Sequence, residues 1–433
     1  MTAAAAADRD YRRTVNAWCL YDWGNSAFAT TIMAGVFPLF YRSMATSAGL
    51  GEADATAAWA YTTSIALLIV AVIGPPLGSL CDQTASKKRF LAFFAALGVC
   101  ASALFVLLGD DSYLTGSVLF IAGNIGFAAG NIFYESLLPH VARPGDVDRV
   151  STRGYAMGYI GGGILLIFNL LWVMHPGWFL LPGTGFALRL TFFSVAVWWA
   201  AFTVPLLRRV GEPPAAHATP EGGAGMVVAA AFGRLASTFR QIRRYRQLLL
   251  FLAAFWLYND GIGTIIKMAI AYGDEVGIGR NDLITALVLT QFVGIPCTFL
   301  FGRLAPVLGT KRSILVGLGV YGLISVGGYF MQTALHFYIL AGLVGMVLGG
   351  TQALSRSLYA SMIPPARSAE FFGFYSTSSR FAGIFGPLVF GVVGQVTGGS
   401  RLGIVALVFF FLAGGALLLL VDEREGRAAA AKE

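Results

Sequence analysis

Two aspartates with similar neighbours lie inside hydrophobic stretches of this chain. Asp22 belongs to the segment LYDWGNS, and Asp260 belongs to the similar segment LYNDG, which begins 237 residues further along. A charge inside a membrane helix costs roughly 2.5–3.5 kcal/mol on insertion scales, so a residue of this kind serves a purpose. The matching settings predict two related halves that face each other across a polar cavity, which is typical of a transporter.

The composition places the chain in a membrane. Hydrophobic residues make up 57% of the sequence and charged residues 12%, against about 25% charged in soluble domains. The net charge of +8 lies in short connectors between apolar runs, which is not the pattern of a nucleic-acid surface. We therefore expect membrane lipid as the surroundings of this chain and no nucleic-acid partner.

The apolar runs predict an all-α protein with twelve transmembrane helices. Each run is close to the ~20 residues that a ~30 Å hydrocarbon layer requires. The predicted spans are 15–41, 57–81, 90–109, 113–139, 154–174, 187–207, 248–270, 283–304, 313–331, 336–360, 371–396 and 402–421.

The positive charges predict the orientation. With the N-terminus inside, 23 Lys and Arg residues fall on the inner side and four on the outer side, while three are embedded. Positive residues accumulate on the cytoplasmic side of membrane proteins. This pattern predicts a protein of the cell (inner) membrane with both termini in the cytoplasm.

A long connector divides the chain. We expect an N-terminal half over 1–207, a cytoplasmic linker over 208–247 and a C-terminal half over 248–433. The second part of the linker has apolar residues at helical spacing beside several arginines, which favours a basic amphipathic helix on the inner membrane surface. A helix that binds a partner protein is the alternative.

The two halves repeat each other in more than one place. GSLCDQTASKKRFL begins at Gly78 and GRLAPVLGTKRSIL at Gly302, and in both a glycine precedes a basic pair by nine residues. SLLP ends the fourth span and SMIP the tenth, at an offset of 225. Equivalent segments have the same orientation, so this is a parallel repeat of six plus six helices.

GSLCDQTASKKR is similar to the loop between helices 2 and 3 that marks the major facilitator superfamily. Gly78 and Asp82 match that motif, as do the basic residues Lys87 and Lys88, whereas Gln83 replaces the usual first basic residue. The resemblance implies the major facilitator fold. It also implies a gating role for the loop, in which Asp82 contacts neighbouring helix ends; an incidental aspartate in a basic loop is the alternative.

Four segments resemble one branch of this superfamily, the vacuole effluxer-like proteins linked to autophagy. They are YDWGNSAFATTIMAGVFP, LLPHVARPGDVDRVSTRGYAMGYIGGG, YNDGIGTIIKMA and GGTQALSRSLYASMIPPARSAEFFGFYSTSSRFAGIFGP. The similarity extends over nearly the whole chain. Because fungal relatives are associated with release of amino acids from the vacuole, the resemblance implies solute transport and an amino-acid substrate.

Three embedded charges suit a zwitterionic solute. Arg380 and Asp260 lie near the middle of their spans, and Asp22 lies somewhat nearer the inner side. Arg380 could hold a carboxylate through two parallel hydrogen bonds while an aspartate meets an ammonium group. One carboxylate could instead carry a coupling proton. The alternative is a buried ion pair between helices.

Further polar residues occupy the spans. We expect some to line the cavity, although amides also join helices to one another. They are Tyr21, Asn25, Asn131, Tyr258, Asn259 and Gln352. Glu135 and Arg356 lie toward the inner ends of their spans, where they either extend to the membrane interface or form part of a cytoplasmic gate.

The sequence argues against other classes of function. It has no phosphate-binding GxxxxGK[ST] motif and no HExxH motif, so we predict no enzyme activity, metal or cofactor. The lead hypothesis is a monomeric secondary transporter for a small solute, working by alternating access as an efflux system, with a proton as a candidate coupling ion. A sensor that keeps the fold without transporting is the alternative.

Overall fold

The computed structural model describes residues 3–50, 52–214, 245–381, 383, 385–397 and 400–431, and its regular elements there are all helices. The N-terminal half contains α1 (Ala3–Ala27), α2 (Phe37–Ser47), α3 (Glu52–Thr84), α4 (Lys87–Leu104), α5 (Tyr113–Ser136), α6 (Leu138–Val141), α7 (Val147–Met174) and α8 (Thr184–Arg209). The C-terminal half contains α9 (Arg246–Glu275), α10 (Arg280–Leu308), α11 (Thr310–Tyr329), α12 (Ala334–Ser361), α13 (Ser368–Phe381), α14 (Phe385–Thr397), α15 (Ser400–Ala406), α16 (Val408–Leu419) and α17 (Glu423–Ala430).

Ten helical segments in the described ranges are long and apolar enough to cross a membrane. They coincide with ten of the twelve predicted spans. Helices are favoured there because hydrocarbon offers no hydrogen bonds, so every backbone amide and carbonyl must find its partner within the segment. The predicted count of twelve therefore depends on the two remaining spans, 15–41 and 371–396.

Both remaining spans are interrupted. The first passes from α1 through a π-helical segment, Phe28–Gly35, into α2. The amide of Val36 donates to the carbonyl of Thr31 at 2.7 Å, five residues back, which is the wider π-type turn. Pro38 follows within the first turn of α2, where its missing N–H costs nothing.

The second interrupted span changes from α13 to α14 between residues 381 and 385. Pro387 lies in the first turn of α14, and in a continuous helix it would leave the carbonyl of Gly383 without a donor. The ammonium of Lys267 on α9 lies 3.4 Å from that carbonyl and donates to it. A proline thus explains the interruption, and a side chain of a neighbouring helix satisfies the released carbonyl.

The halves contact each other along two lines. On one, α3 packs against α13; on the other, α7 packs against α10 and α12. We call the end of the bundle that carries the α3–α4 and α10–α11 connectors the basic end, because Lys87 is the first residue of α4 and Lys311 the second residue of α11. The inter-half hydrogen bonds and ion pairs described below lie toward this end.

The predicted linker helix lies outside the described residues, which stop at 214 and resume at 245. The start of the connector is nevertheless fixed. Glu212 accepts a hydrogen bond at 3.0 Å from the backbone amide of Lys88, in the first turn of α4. Partial burial raises the pKa of the Glu212 carboxyl, and the amides of α4 oppose that rise.

Glycines allow close approach of α4 and α5. A Cβ added at Gly126 would lie 2.5 Å from the backbone nitrogen of Gly98 and 2.6 Å from the carbonyl oxygen of Phe94. Backbone atoms cannot rotate away as a flexible side chain can, so the two helices would have to separate.

We therefore expect Gly126→Val to lower the free energy of unfolding by about 3 kcal/mol, because overpacking forces the helix backbones apart. Gly163→Val is the matched control, since a Cβ there meets nothing within 4 Å. Thermal unfolding in detergent measures both. Equal melting temperatures for the two variants would contradict this account of the α4–α5 contact.

Candidate functional site

A buried arginine joins the halves near the basic end. Arg356 on α12 has a side chain that is 2% exposed. Its Nε donates to Ser151 Oγ at 2.9 Å and its Nη2 to the Ser151 carbonyl at 2.8 Å, both on α7. The Ser151 hydroxyl in turn donates to the carbonyl of Ala353 at 2.7 Å. The guanidinium is therefore fixed from the opposite half by two hydrogen bonds.

Two carboxylates of the N-terminal half face this guanidinium. Arg356 Nη1 lies 3.6 Å from Asp22 Oδ2 and 4.0 Å from Glu135 Oε1. The Tyr134 hydroxyl donates to the same Asp22 oxygen at 3.1 Å. The side chains of Asp22 and Glu135 are 15% and 16% exposed, so the acids keep contact with open space that Arg356 lacks. The cluster holds two negative groups against one positive group.

Aromatic rings enclose the guanidinium. Its central carbon lies 4.3 Å from the ring centre of Tyr155, 5.1 Å from that of Trp18 and 5.7 Å from that of Tyr134. Aromatic faces attract a cation while excluding water from it. Trp18 and Tyr134 also stack with their ring centres 4.3 Å apart, which fixes two walls of the enclosure.

The cluster depends on a glycine of α7. A Cβ at Gly154 would lie 2.9 Å from Trp18, 3.1 Å from Arg356 Nη2 and 3.1 Å from Asp22 Oδ2. Only a residue without a side chain lets α7 come this close to both halves of the ion pair. We name Asp22, Glu135, Tyr134, Tyr155 and Arg356 the charge cluster.

The charge cluster corrects one expectation from the sequence. Extension of Arg356 to the membrane interface is wrong, because its guanidinium is enclosed by protein from both halves. The residues predicted from the sequence did not include Tyr134, Ser151 or Tyr155. Ser151 and Tyr155 lie four residues apart, hence on one face of α7, and this spacing was a usable signal.

Asp260 has different partners from Asp22. Its carboxylate on α9 is 2% exposed and accepts a hydrogen bond at 2.9 Å from the amide of Gly386, in the first turn of α14. A carboxylate at a helix N-terminus is stabilised by the partial positive charge there. The structure therefore pairs Asp22 with Arg356 on α12 and Asp260 with α14. Arg380 lies in α13, and its side chain is outside the described part of the structure.

The predicted amides form pairs within each half. Asn25 Nδ2 donates to Asn131 Oδ1 at 2.6 Å, and Gln352 Nε2 donates to Asn259 Oδ1 at 2.8 Å. Asn259 also donates to Ser379 at 3.3 Å. Asn25 is fully buried, whereas its partner Asn131 is half-buried, as are both members of the second pair. These amides join helices and also expose polar surface.

The two predicted tyrosines occupy related positions. Tyr258 and Ser355 share a hydrogen bond of 2.6 Å. Tyr21 packs on Gly130, where an added Cβ would lie 2.9 Å from its hydroxyl oxygen. Gly130 and Ser355 differ by the offset of 225 found in the sequence, so each tyrosine contacts the equivalent position of its own half. Both rings are buried, which leaves little of them for a solute.

The predicted gating residues contact the opposite half. Asp82 accepts hydrogen bonds from the amides of Ala369 at 3.2 Å and Glu370 at 2.8 Å, in the first turn of α13. Lys87 Nζ lies 2.9 Å from Asp82 and donates to Ser368 at 2.7 Å. We call these five residues the Asp82 latch.

Two further residues of the predicted loop, Gly78 and Lys88, lie beside the Asp82 latch. A Cβ at Gly78 would lie 2.2 Å from the carbonyl oxygen of Ala369, so this glycine is needed for the approach of α13. The side chain of Lys88 is only half-buried, and its backbone amide binds Glu212 of its own half instead.

A family model described as "Vacuole effluxer Atg22 like" matches residues 10–431. The chain belongs to the Atg22-like vacuole effluxer family. It is 38% identical over 399 residues to an MFS-type transporter of Bacillus subtilis, YxiO, with 92% of each chain covered. It is 26% identical to autophagy-related protein 22-1 of Aspergillus niger, covering 88% of this chain and 75% of that one.

Solved structures share the fold of this Atg22-like chain. The proton:xylose symporter XylE covers 98% of both chains with a TM-score of 0.71 at 14% identity. The human organic anion transporter MFSD10 covers 94% of this chain and 99% of its own, with a TM-score of 0.74 at 12% identity. The predicted major facilitator fold is confirmed. The protein is a multi-pass membrane transporter of this type, and its relatives and structural neighbours are transporters, not enzymes.

The charge cluster predicts a large cost for removing its only cation. We expect Arg356→Met to lower the free energy of unfolding by about 3 kcal/mol, since it removes the buried cation that faces two carboxylates. Addition of Asp22→Asn should recover part of that loss. Thermal unfolding of the single and double variants measures both effects.

Arg189→Met is the control for this prediction. Arg189 is 40% exposed and lies 3.6 Å from Asp110, which is 88% exposed, and such surface pairs contribute under ~1 kcal/mol. An Arg356→Met variant as stable as Arg189→Met would contradict the importance of the cluster.

Proposed function

We propose that this transporter moves a small zwitterionic solute, such as an amino acid, across the membrane by alternating access. The observation that carries the proposal is the charge cluster, in which Arg356 of one half faces Asp22 and Glu135 of the other. A zwitterion presents both charges that such a site can bind. Its carboxylate would pair with the guanidinium, and its ammonium with a carboxylate.

Competition for these charges links binding to movement of the halves. In the present conformation Arg356 is engaged with Asp22 and Ser151, which helps to close the basic end. A solute that binds to Arg356 or to Asp22 replaces their mutual contact and so weakens the contact between the halves. The solute thereby favours the conformation that opens the opposite way, because a ligand shifts an equilibrium by its difference in affinity for the two states.

A proton is the proposed coupling ion. The cluster has one carboxylate more than it has cations, so one acid can accept a proton while the other keeps Arg356 neutralised. Protonation of Asp22 would release Arg356 from its closer carboxylate partner. Asp260 is a second candidate, because it is buried at the start of α14 in an interrupted span.

The remaining parts of the proposal concern the cell. The name of the family, vacuole effluxer, supports efflux as the direction of transport. The excess of Lys and Arg in the inner connectors supports the cell membrane with both termini in the cytoplasm. In this orientation the basic end is cytoplasmic, and a transporter closed at that end is open to the outside. The proposed working unit is a monomer in lipid, which binds neither nucleic acid nor a cofactor.

We expect the full-length protein in liposomes to exchange amino acids across the membrane. Asp22→Asn, Arg356→Lys, Asp260→Asn and Arg380→Ala should each reduce counterflow by roughly tenfold or more, since each removes a specific charge or a bidentate donor. Asp110→Asn, at an exposed carboxylate, should leave counterflow unchanged. Binding without any counterflow would instead identify a sensor, and normal flux in all four site variants would contradict the zwitterion site.

Proton coupling predicts that a pH gradient alone drives accumulation of solute against its concentration gradient. Asp22→Asn mimics the protonated acid, so any residual transport should lose its dependence on the gradient. Flux in liposomes at fixed internal pH and varied external pH measures this dependence. Wild-type flux that ignores the gradient would leave uncoupled exchange as the mechanism.

A further inference from the structure

A second carboxylate contact joins the halves at the basic end. Asp148, in the first turn of α7, accepts a hydrogen bond at 2.7 Å from the hydroxyl of Thr310, the first residue of α11. Its other oxygen accepts a short hydrogen bond from the hydroxyl of Ser357 on α12. Both donors are buried, and both belong to the C-terminal half.

A role confined to α7 does not account for this arrangement. An acid in the first turn stabilises its own helix through the partial charge on the free amides. Such an acid has no need of partners elsewhere. Asp148 instead directs both carboxylate oxygens to hydroxyls across the interface.

The repeat in the sequence shows why a separate acid is needed. The offset of 224 between Gly78 and Gly302 places Pro306 at the position equivalent to Asp82. Proline has no carboxylate, so the C-terminal connector cannot form its own version of the Asp82 latch. The acid is supplied by the facing helix, α7, and the connector supplies the donor, Thr310.

Asp148 also lies at the end of a continuous contact face of α7. Ser151 binds Arg356, and Thr152 would meet a Cβ of Gly302 at 2.2 Å. Further along, Tyr159 would meet a Cβ of Gly349 at 2.6 Å. The residues follow helical spacing, so this one face of α7 packs against the C-terminal half. Asp148 fixes its terminal turn.

We propose that Asp148, Thr310 and Ser357 form a second latch, and that Asp148 is a positioning residue that holds the basic end closed. The Asp82 latch closes the line where α3 meets α13, and the Asp148 latch closes the line where α7 meets α10 and α12. The inference rests on the alternating access of the proposed function. It does not depend on the identity of the solute or on proton coupling.

The test measures the distance between the halves at the basic end. Spin labels at Arg209→Cys and Arg427→Cys report it, since both side chains are exposed there and belong to different halves. Cys100 and Cys297 are replaced by serine, and the buried Cys19 and Cys81 are retained. The full chain is studied in liposomes of phosphatidylethanolamine and phosphatidylglycerol, without added solute.

We expect Asp148→Asn to raise the ratio of open to closed molecules by roughly tenfold, because hydrogen bonds to a charged acceptor are among the stronger ones. Asp146→Asn is the control. Asp146 lies two residues away, but the donors Tyr11 at 2.8 Å and Arg149 at 3.5 Å both belong to its own half, so the ratio should stay within about twofold of wild type.

A double-mutant cycle separates latching from a purely structural role. Thr310→Val should shift the ratio in the same direction as Asp148→Asn, by a smaller factor, and should have no further effect when combined with it. Asp148→Glu should restore part of the closed population. Melting temperatures show whether each variant remains folded.

The outcomes are distinct. If folded Asp148→Asn gives the same distances as Asp146→Asn, the second latch is wrong whatever the transport assays show. If Thr310→Val acts equally with and without Asp148, the pairing is wrong. If the distances shift as expected while no amino acid is transported, the latch holds and the proposed solute is wrong.

Discussion

Burial of the Arg356 guanidinium is the constraint on which the closed end of this transporter depends. A cation taken out of water must recover both its charge compensation and its hydrogen bonds, and removal of either leaves a penalty of several kcal/mol. Ser151 provides the hydrogen bonds of Arg356, and Asp22 and Glu135 compensate its charge. Aromatic rings cover the rest of its surface. Among the described residues, its charged and hydrogen-bonding partners all belong to the other half, so these contacts are made only while the halves are together.

This requirement explains features that otherwise look unrelated. Gly154 has to be a glycine so that α7 can approach the ion pair, and Ser151 has to lie one turn before Tyr155 so that a hydroxyl and a ring meet the same group. The two latches then hold the helix ends around the cluster. In the described residues, the donors to Asp148 across the interface are the neutral hydroxyls of Thr310 and Ser357, whereas Asp82 also has the cation Lys87, so the two latches differ in their electrostatics.

The sequence predicted the membrane class, ten of the spans that the structure shows, the superfamily fold and the acidic segments, because hydropathy and motif spacing are local properties. The pairing of Asp22 with Arg356 could not be predicted in this way, since it depends on which helix faces which. Counting residues along the helix placed Arg356 toward the inner end of its span. Such a count cannot show that neighbouring helices enclose the side chain. Hydropathy also missed the two interruptions, although Pro38 and Pro387 were visible in the sequence.

The four acids described at the interface all lie on the same side of it. Asp22, Asp82, Glu135 and Asp148 all belong to the N-terminal half, and the groups that face them across the interface belong to the C-terminal half. By the offset of 225, Arg356 corresponds to Asn131 in the N-terminal half, so two copies of that half would lack the buried cation that faces Asp22 and Glu135. The two repeats are therefore complementary and not interchangeable. Each half supplies charges or hydrogen bonds that the other lacks, so we expect the halves to be unstable when they are expressed as separate chains.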